Sequence, residues 1–188
     1  MDNNNPQTFH ALETWYRKIR FRSRLEARWA CFFHYSGIVF DYETQGYKLP
    51  DGTCYLPDFY LPKFRTWAEI KPVPFSDIER RKCAEIARGL RQLFLLLDGP
   101  PGFREYPGIA WDSGELDICT YSLDWRSGKP DRFFAFNAQG QESDFSPEYQ
   151  RAVHAALAER FDGTVYPELG HEPFNLSESE LLQVWGLL

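Results

Sequence analysis

The stretch LPDFYLPKFRTWAEIK, residues 56–71, decides the fold of this chain and carries its candidate chemistry. The residues on either side of a tight loop predict two short strands, Tyr55–Leu61 and Thr66–Lys71. The loop Pro62–Arg65 that joins them has the length of a common hairpin connection. The stretch therefore predicts an antiparallel hairpin at the centre of the fold.

The register of this hairpin brings two acids together. The loop pairs Leu61 with Thr66, and counting back from that pair places Asp58 opposite Glu69 on the same face. Cross-strand partners have Cβ atoms roughly 4.5–5.5 Å apart, and like charges at that distance destabilise a sheet. Because side chains alternate along a strand, Lys71 shares the face of Glu69. A divalent cation such as Mg²⁺, which takes carboxylate and phosphate oxygens as ligands, would offset the repulsion.

Two acids and one ammonium around a single point suit the metal-assisted hydrolysis of a phosphodiester. The cation polarises a phosphoryl oxygen, and a nearby group orients the attacking water. The alternative is an ordinary amphipathic hairpin whose acids lie in water, with Lys71 neutralising Glu69. A shift of one residue in the register would place Asp58 and Glu69 on opposite faces, so the hypothesis depends on the geometry of the hairpin.

These residues resemble a known family. Asp58, ten intervening residues and then Glu69-Ile70-Lys71 resemble the signature of the PD-(D/E)XK nuclease superfamily. The longer pattern, YLPDF at 55–59 followed by EIKP at 69–72, is similar to phage-encoded members and TnsA-type transposase endonucleases. The resemblance covers about residues 20–100. It implies a DNA endonuclease of a phage or mobile element that uses Mg²⁺, with Mn²⁺ able to substitute, in the cytoplasm of a bacterial or phage-infected cell.

The resemblance also implies roles for individual residues and an α/β fold. Asp58 and Glu69 would bind the metal together with the carbonyl of Ile70, and Lys71 would orient the attacking water. Glu26 would contribute a further acid to the same or a second metal. The implied fold is a restriction-endonuclease-like core with a mixed sheet, in the order helix, three antiparallel strands, helix, strand. If both DNA strands are cut, a homodimer or a partner that supplies targeting is expected.

A helix is predicted over Arg24–Tyr35, with Ser23 as its N-cap and Gly37 beyond its end. Glu26 follows the cap by three residues, which is the position of the acid in a capping box. The two interpretations of Glu26, as a cap and as a site residue, compete directly. The hypothesis favours the site role because the resemblance places a metal-binding acid on the helix before the hairpin.

Basic residues crowd the segment from residue 15 to residue 28, where aromatic residues lie between them. Four of them are the candidate nucleic-acid contacts: Arg20, Arg22, Arg24 and Arg28. A cluster of this kind can contact several phosphates, which makes affinity fall with salt. The alternative is a solvated helix face, the usual role of a charge run. Because the segment adjoins the candidate site in sequence, DNA contact is favoured.

The two halves of the chain differ in charge. Residues 1–97 carry 15 Lys and Arg against 11 Asp and Glu, whereas residues 98–188 carry 6 against 16. A basic half that holds the candidate site is compatible with a nucleic-acid partner, although the net charge of the whole chain is −6. The competing hypothesis is a catalytically silent protein of nuclease fold that acts on partners through its acidic C-terminal half.

The rest of the chain predicts further elements around the hairpin. Strands are predicted at 37–43 and 46–49, and a capping box at Ser76 opens a helix in which Ile78, Cys83, Ile86 and Leu90 face inward. Residues 93–97 predict a buried parallel strand. The predicted layout is a basic segment at 1–21, the nuclease-like core at 22–100, and an extension at 101–188 packed on the core. The extension comprises a hairpin of Leu116–Ser122 with Arg132–Phe136, a helix from Ser146 and a docking tail at 181–185.

Composition excludes several classes of protein. No apolar run approaches the roughly 18 residues that span a membrane, and the first residues lack a secretory signal pattern, so we expect a cytoplasmic protein without a membrane partner. The four cysteines lie at 31, 54, 83 and 119, without the paired spacing of a zinc ribbon. We expect them to be structural.

Overall fold

The computed structural model of the chain describes residues 12–112, 114–125 and 141–161. In these ranges the protein is a mixed α/β fold with three α-helices and a six-stranded mixed sheet. None of these three helices combines the length and the apolar character that crossing a bilayer requires.

The elements follow one another along the chain as strands interrupted by three helices. They are β1 Thr14–Tyr16, β2 Ile19–Phe21, α1 Arg24–Tyr35, β3 Asp41–Tyr42, β4 Tyr47–Lys48, β5 Cys54–Tyr55, β6 Phe59–Leu61, β7 Thr66–Lys71, α2 Asp77–Leu90, β8 Leu93–Asp98, β9 Tyr106–Asp112, β10 Glu115–Tyr121 and α3 Pro147–Ala158. The main sheet has the order β10-β9-β8-β7-β6-β3, in which only β7 and β8 are parallel. Two small sheets, β1–β2 and β4–β5, lie outside it.

The central hairpin has the predicted register. Leu61 pairs with Thr66 and Phe59 pairs with Ala68, so the next position along the ladder sets residue 58 against Glu69. A single 3-10 turn forms the loop and ends at Arg65, whose φ of 49° is left-handed. The predicted pairing of the two strands is confirmed.

The extent of the first predicted strand, Tyr55–Leu61, is wrong. The chain forms two separate strands there, because Pro57 has no N–H to donate to a ladder and the backbone bends at Asp58. The first piece, β5, pairs with β4 in a sheet of its own, so the predicted strand at 46–49 does not continue the main ladder. The predicted strand at 37–43 is likewise reduced to β3.

Helix α1 has the predicted bounds, and Ser23 caps it as predicted by accepting from the Glu26 N–H at 3.1 Å. Its inner face carries Trp29, Phe32 and Phe33, all fully buried. Helix α3 packs across α1, with the rings of Phe32 and Tyr149 centred 5.3 Å apart. The aromatic residues of the sequence thus form the core on one face of the sheet.

Helix α2 covers the other face and connects two parallel strands, as predicted. Ser76 forms the predicted capping box with Glu79. Cys83 and Ile86 are buried, but Ile78 is 66% exposed, so its predicted inward position is wrong. At 3.6 residues per turn, Ile78 lies about 140° around the helix from Cys83, which turns it to solvent.

Two strands beyond the predicted core extend the sheet. Strand β10 corresponds to the predicted strand Leu116–Ser122, but it pairs with β9, which the sequence analysis did not predict. Its proposed partner, Arg132–Phe136, lies outside the described residues, as does the tail at 181–185. Strand β9 contains Pro107-Gly108, a pair more typical of turns. A Cβ at Gly108 would lie 2.8 Å from the ring of Tyr121, so the glycine gives this ring its space against the strand.

Candidate metal and nucleic-acid site

Asp58 and Glu69 meet at the end of the central hairpin and are both 5% exposed. The Ile70 N–H donates to Asp58 Oδ2 at 2.7 Å, which fixes the Asp58 carboxylate beside the next residue of β7. Burial and then the Glu69 charge raise the pKa of Asp58 well above its ordinary value, against the opposing effect of the Ile70 hydrogen bond. The two acids therefore share a poorly solvated space in which their negative charges repel.

Lys71 lies on the same side of β7 as Glu69. Its Nζ is 3.0 Å from Glu69 Oε1 and 3.8 Å from Glu79 Oε1. Burial lowers the pKa of Lys71, but the charge and hydrogen bond of Glu69 outweigh that effect and raise it overall. The side chain is therefore an ammonium held between Glu69 and Glu79.

The second oxygen of Glu69 has no such partner. Glu69 Oε2 is buried and accepts no hydrogen bond from the described residues. Burial and Cys83, followed by the charge of Glu69 and a side-chain hydrogen-bond interaction with it, raise the pKa of Tyr55, so this hydroxyl lies near Glu69 although it makes no hydrogen bond of normal geometry to Oε2. That hydroxyl contacts Cys83 Sγ, at 3.5 Å. A buried carboxylate oxygen without a partner is costly, and a bound cation would satisfy it.

Glu26 is buried at the start of α1, and three donors contact its carboxylate. Ser23 Oγ donates to Oε1 at 2.6 Å, while the Arg22 N–H and the Tyr42 hydroxyl donate to Oε2 at 3.1 and 2.5 Å. Glu26 therefore holds the start of the helix, but through the Ser23 hydroxyl and the Arg22 N–H rather than through the Ser23 N–H that a capping box uses. Glu26 is nevertheless close enough to contribute to the raised pKa of Asp58. Its role as a metal ligand stays a prediction.

Arg22 lies at the edge of the site, where it pairs with Glu43. Glu43 is not among the predicted site residues. The Arg22 Nη2 forms an ion pair with Glu43 Oε1 and lies 3.8 Å from Asp58 Oδ1. The Glu43 N–H donates to the Asp58 carbonyl oxygen at 2.9 Å, and the φ of Glu43 is 49°. The available sequence signal is an acid at the end of a predicted strand beside the hairpin.

The other predicted nucleic-acid contacts do not gather at one place. Arg20 is on the small β1–β2 sheet, and both it and Arg24 are exposed. Arg28 faces α3, where its Nη1 donates to the carbonyl oxygens of Ala156 and, at 2.8 Å, Leu157. Of the four arginines, Arg22 is therefore the one that the structure places beside the carboxylates.

The donor set fits a hard divalent cation held in part by substrate. Within residues 12–112, 114–125 and 141–161, no three His, Cys, Asp or Glu side chains form a ready-made metal cluster. Asp58 and Glu69 provide two carboxylates, and Mg²⁺ typically binds proteins through one or two carboxylates together with water and phosphate oxygens. The buried oxygen of Glu69 that lacks a hydrogen bond agrees with such an ion.

The chain matches no protein-family model and no curated protein sequence. A functional conclusion therefore depends on the residues and geometry of the site.

Proposed function

We propose that the protein is a metal-dependent DNA endonuclease of the PD-(D/E)XK type, which hydrolyses phosphodiester bonds. The observation that carries the proposal is the buried pair Asp58 and Glu69, with Lys71 Nζ 3.0 Å from one Glu69 oxygen and the other oxygen lacking a hydrogen bond from the described residues. Two buried acids placed together are costly without a cation, and the ammonium reaches only one of their oxygens.

The architecture around the pair supports the proposal. The order α1, β3, β6, β7, α2, β8 agrees with a nuclease core of helix, three antiparallel strands, helix and strand. The site lies where the hairpin opens, at the C-terminal end of β7. Fold alone does not determine function, so the weight of the proposal is on the side chains of the site.

Each residue of the site has a chemical role in the proposed reaction. Asp58 and Glu69, with the carbonyl of Ile70, would hold Mg²⁺ or Mn²⁺, which when bound polarises a phosphoryl oxygen and lowers the pKa of water. Lys71 orients the attacking water and stabilises negative charge that develops on the phosphate. The Ile70 N–H holds the Asp58 carboxylate in place while that charge develops.

Glu26 enters the proposal as an acid that contributes to the same or a second metal. Its Oε2 accepts from Arg22 and Tyr42, so binding a metal through that oxygen would require those donors to move. Without such a movement, Glu26 acts by holding the start of α1 and the Arg22 backbone against the site.

DNA is the proposed substrate because the resemblance favours it and because two cations, Lys71 and Arg22, lie beside the acids. The Arg22 side chain is 58% exposed beside Asp58, where it can contact a phosphate adjacent to the one that is cleaved. Cutting both strands would require a homodimer or a partner subunit. Of the acidic half of the chain, on which the competing interaction hypothesis depends, the structure describes residues 98–112, 114–125 and 141–161.

The proposal is tested by incubating the protein with supercoiled, linear, branched and single-stranded DNA in Mg²⁺, Mn²⁺ or EDTA. Cleavage should require the metal, and Asp58→Asn should reduce it by more than about 100-fold, beyond the usual effect of losing a residue that only supports a metal ligand. Asp117→Asn, at an exposed position of β10, is the matched control and should cleave normally. If the wild-type protein leaves every DNA form intact with both metals, the silent interaction protein is favoured.

A further inference from the structure

The β1–β2 hairpin has a strained tip made of two cations. Tyr16 pairs with Ile19, which leaves Arg17 and Lys18 as the whole turn. Their φ angles are 43° and 71°, both in the left-handed region. Two-residue turns with positive φ at both positions strongly prefer Asn and Gly, because a larger side chain is disfavoured there. The chain thus places long cationic side chains where Asn-Gly would give a more stable turn.

The two faces of this hairpin differ. Thr14 and Phe21 are buried on the inner face, against α1. On the outer face Trp15 and Arg20 lie opposite each other, and Trp15 is 42% exposed. Glu13 is 3.6 Å from the Arg20 guanidinium, but ion pairs between exposed side chains are weak. Inner packing explains why the hairpin forms. At the tip, the Arg17 guanidinium lies 5.9 Å from the centre of the Tyr16 ring.

The hairpin leads directly into the candidate site. Strand β2 ends at Phe21, and the Nη2 of the following residue, Arg22, is 3.8 Å from Asp58 Oδ1. At about 3.3 Å per residue, Lys18 lies at most about 13 Å along the chain from Arg22. Phosphates on one DNA strand advance about 3.4 Å along the helix axis per nucleotide, so about 13 Å corresponds to about four base pairs between the tip and a phosphate at the Arg22 backbone.

Given the proposed nuclease function, on which this step rests, we infer that the β1–β2 hairpin is a wing that inserts its Arg17-Lys18 tip into the major groove of duplex DNA beside the cleaved bond. The major groove of B-DNA, about 12 Å wide, admits a two-stranded β-ribbon. The corresponding groove of duplex RNA is deep and narrow and excludes it. Left-handed backbone at a tip where Arg17 is exposed and Lys18 is half-buried indicates that these side chains serve a purpose beyond stability.

Substitutions at the tip separate charge from strain. Arg17→Gln with Lys18→Gln removes both charges and keeps two side chains at the left-handed positions. Arg17→Asn with Lys18→Gly removes the charges and also relieves the strain, so that variant should unfold at a higher temperature than the wild type. A loss of binding in a variant that is more stable cannot be attributed to unfolding. Arg81→Gln with Lys82→Gln, on α2, removes the same charge away from the hairpin and is the matched control.

The experiment measures the affinity of the full chain for a 20-base-pair DNA duplex by fluorescence anisotropy, in EDTA to prevent cleavage and at several salt concentrations. Single-stranded DNA of the same length and an RNA duplex of the same sequence are the comparison arms. Both tip variants should bind the DNA duplex at least about 10-fold more weakly at low salt and lower the slope of log affinity against log salt by about 2. The α2 control should retain wild-type affinity and slope.

Two outcomes would overturn the inference. In the first, both tip variants bind the DNA duplex as tightly as the wild type does. In the second, affinity falls equally for the DNA duplex, the single strand and the RNA duplex, which would mean that the tip acts as charge without entering a groove. Cleavage by the wild type is measured separately with Mg²⁺. If the tip variants bind the duplex more weakly than the wild type but the wild type does not cleave DNA, only the nuclease proposal fails. If the wild type cleaves DNA but the tip variants bind the duplex as tightly as it does, only the wing fails.

Discussion

The Ile70 N–H donates to the Asp58 side chain, at 2.7 Å, where a regular hairpin would offer it a backbone carbonyl. The β6–β7 ladder ends with the pair Phe59 and Ala68, because Pro57 and the bend at Asp58 take the chain out of the strand. A carboxylate therefore takes the place of the next ladder acceptor. Because the Asp58 carboxylate replaces a backbone carbonyl as acceptor, it is held beside Glu69 at the end of the hairpin.

Asp58→Asn should stabilise the metal-free protein. The raised pKa of Asp58, caused by burial and then by Glu69, means that folding favours its neutral form. The charged form thus costs stability at neutral pH, and this cost disappears as pH falls below the ordinary pKa of aspartate. Asparagine removes the charge and keeps an oxygen for the Ile70 N–H.

The expected rise in melting temperature in EDTA at pH 7 is about 2–4 °C, which corresponds to about 1 kcal/mol for a chain of this length. Differential scanning calorimetry of Asp58→Asn and of Asp117→Asn makes the comparison, and the exposed Asp117 should show no change. A lower melting temperature for Asp58→Asn would mean that the carboxylate stabilises the hairpin by more than its burial costs.

Mg²⁺ and Mn²⁺ should raise the melting temperature of the wild type, and Glu69→Gln should abolish this effect. Glu69 offers a buried oxygen that accepts no hydrogen bond from the described residues, so a cation there gains a ligand without displacing a donor. At 100 times its dissociation constant a ligand stabilises the folded state by about 2.7 kcal/mol.

Thermal melts across a metal titration measure that stabilisation. Glu85→Gln, on α2 beside Arg88, removes an acid elsewhere and should keep the full metal response. If Glu69→Gln responds to both metals as the wild type does, the cation does not bind at this carboxylate pair.

Several parts of this arrangement follow from local sequence. Ser23 and Gly37 bracket α1 because a cap side chain and a glycine with φ of 68° satisfy the helix ends. The length of the loop between Leu61 and Thr66 sets the hairpin register and with it the meeting of the two acids. These features depend on contacts between near neighbours, so the residue types alone predict them.

Other parts depend on residues far apart in the sequence. The ion pair of Arg22 with Glu43 joins two segments that only the fold brings together, and the position of Glu43 at the end of a predicted strand does not identify its partner. Strand β9 is not predicted from the sequence because Pro107-Gly108 is typical of turns. Only the structure shows that Gly108 lies against the ring of Tyr121. Tertiary contact overrides local turn propensity there.

Lys71→Gln should separate metal binding from catalysis. The ammonium is 3.0 Å from Glu69 Oε1 and is proposed to orient water and stabilise phosphate charge, rather than to bind the cation. Cleavage should fall by about 100- to 1,000-fold, as for the loss of a group that stabilises transition-state charge. The metal-induced rise in melting temperature should persist. Cleavage assays and thermal melts with and without metal measure the two effects. If Lys71→Gln loses both cleavage and the metal-induced rise in melting temperature, Lys71 is only a structural partner of Glu69.

Low pH should reduce the free energy of unfolding through protonation of His34, which lies beside the β1–β2 hairpin. Burial, with a smaller effect of the Arg17 charge, lowers the pKa of His34 to about 4. Because the unfolded chain binds this proton near pH 6.5, the stabilising effect of neutral His34 is complete above that pH and is lost as pH falls toward 4. The ring of Tyr16, in β1, lies 6.5 Å from that of His34, so protonation should loosen the hairpin first.

His34→Gln should therefore flatten the dependence of the free energy of unfolding on pH between 6.5 and 4, measured by urea denaturation across that range. His154→Gln is the matched control. His154 lies at an exposed position of α3, where its ion pair with the exposed Glu142 is weak, so the variant should keep the wild-type slope. Hydrogen exchange of β1 and β2 amides should accelerate below pH 6 in the wild type and less in His34→Gln. An unchanged slope in His34→Gln would mean that the imidazole is solvated when the hairpin is closed, contrary to the packing described above.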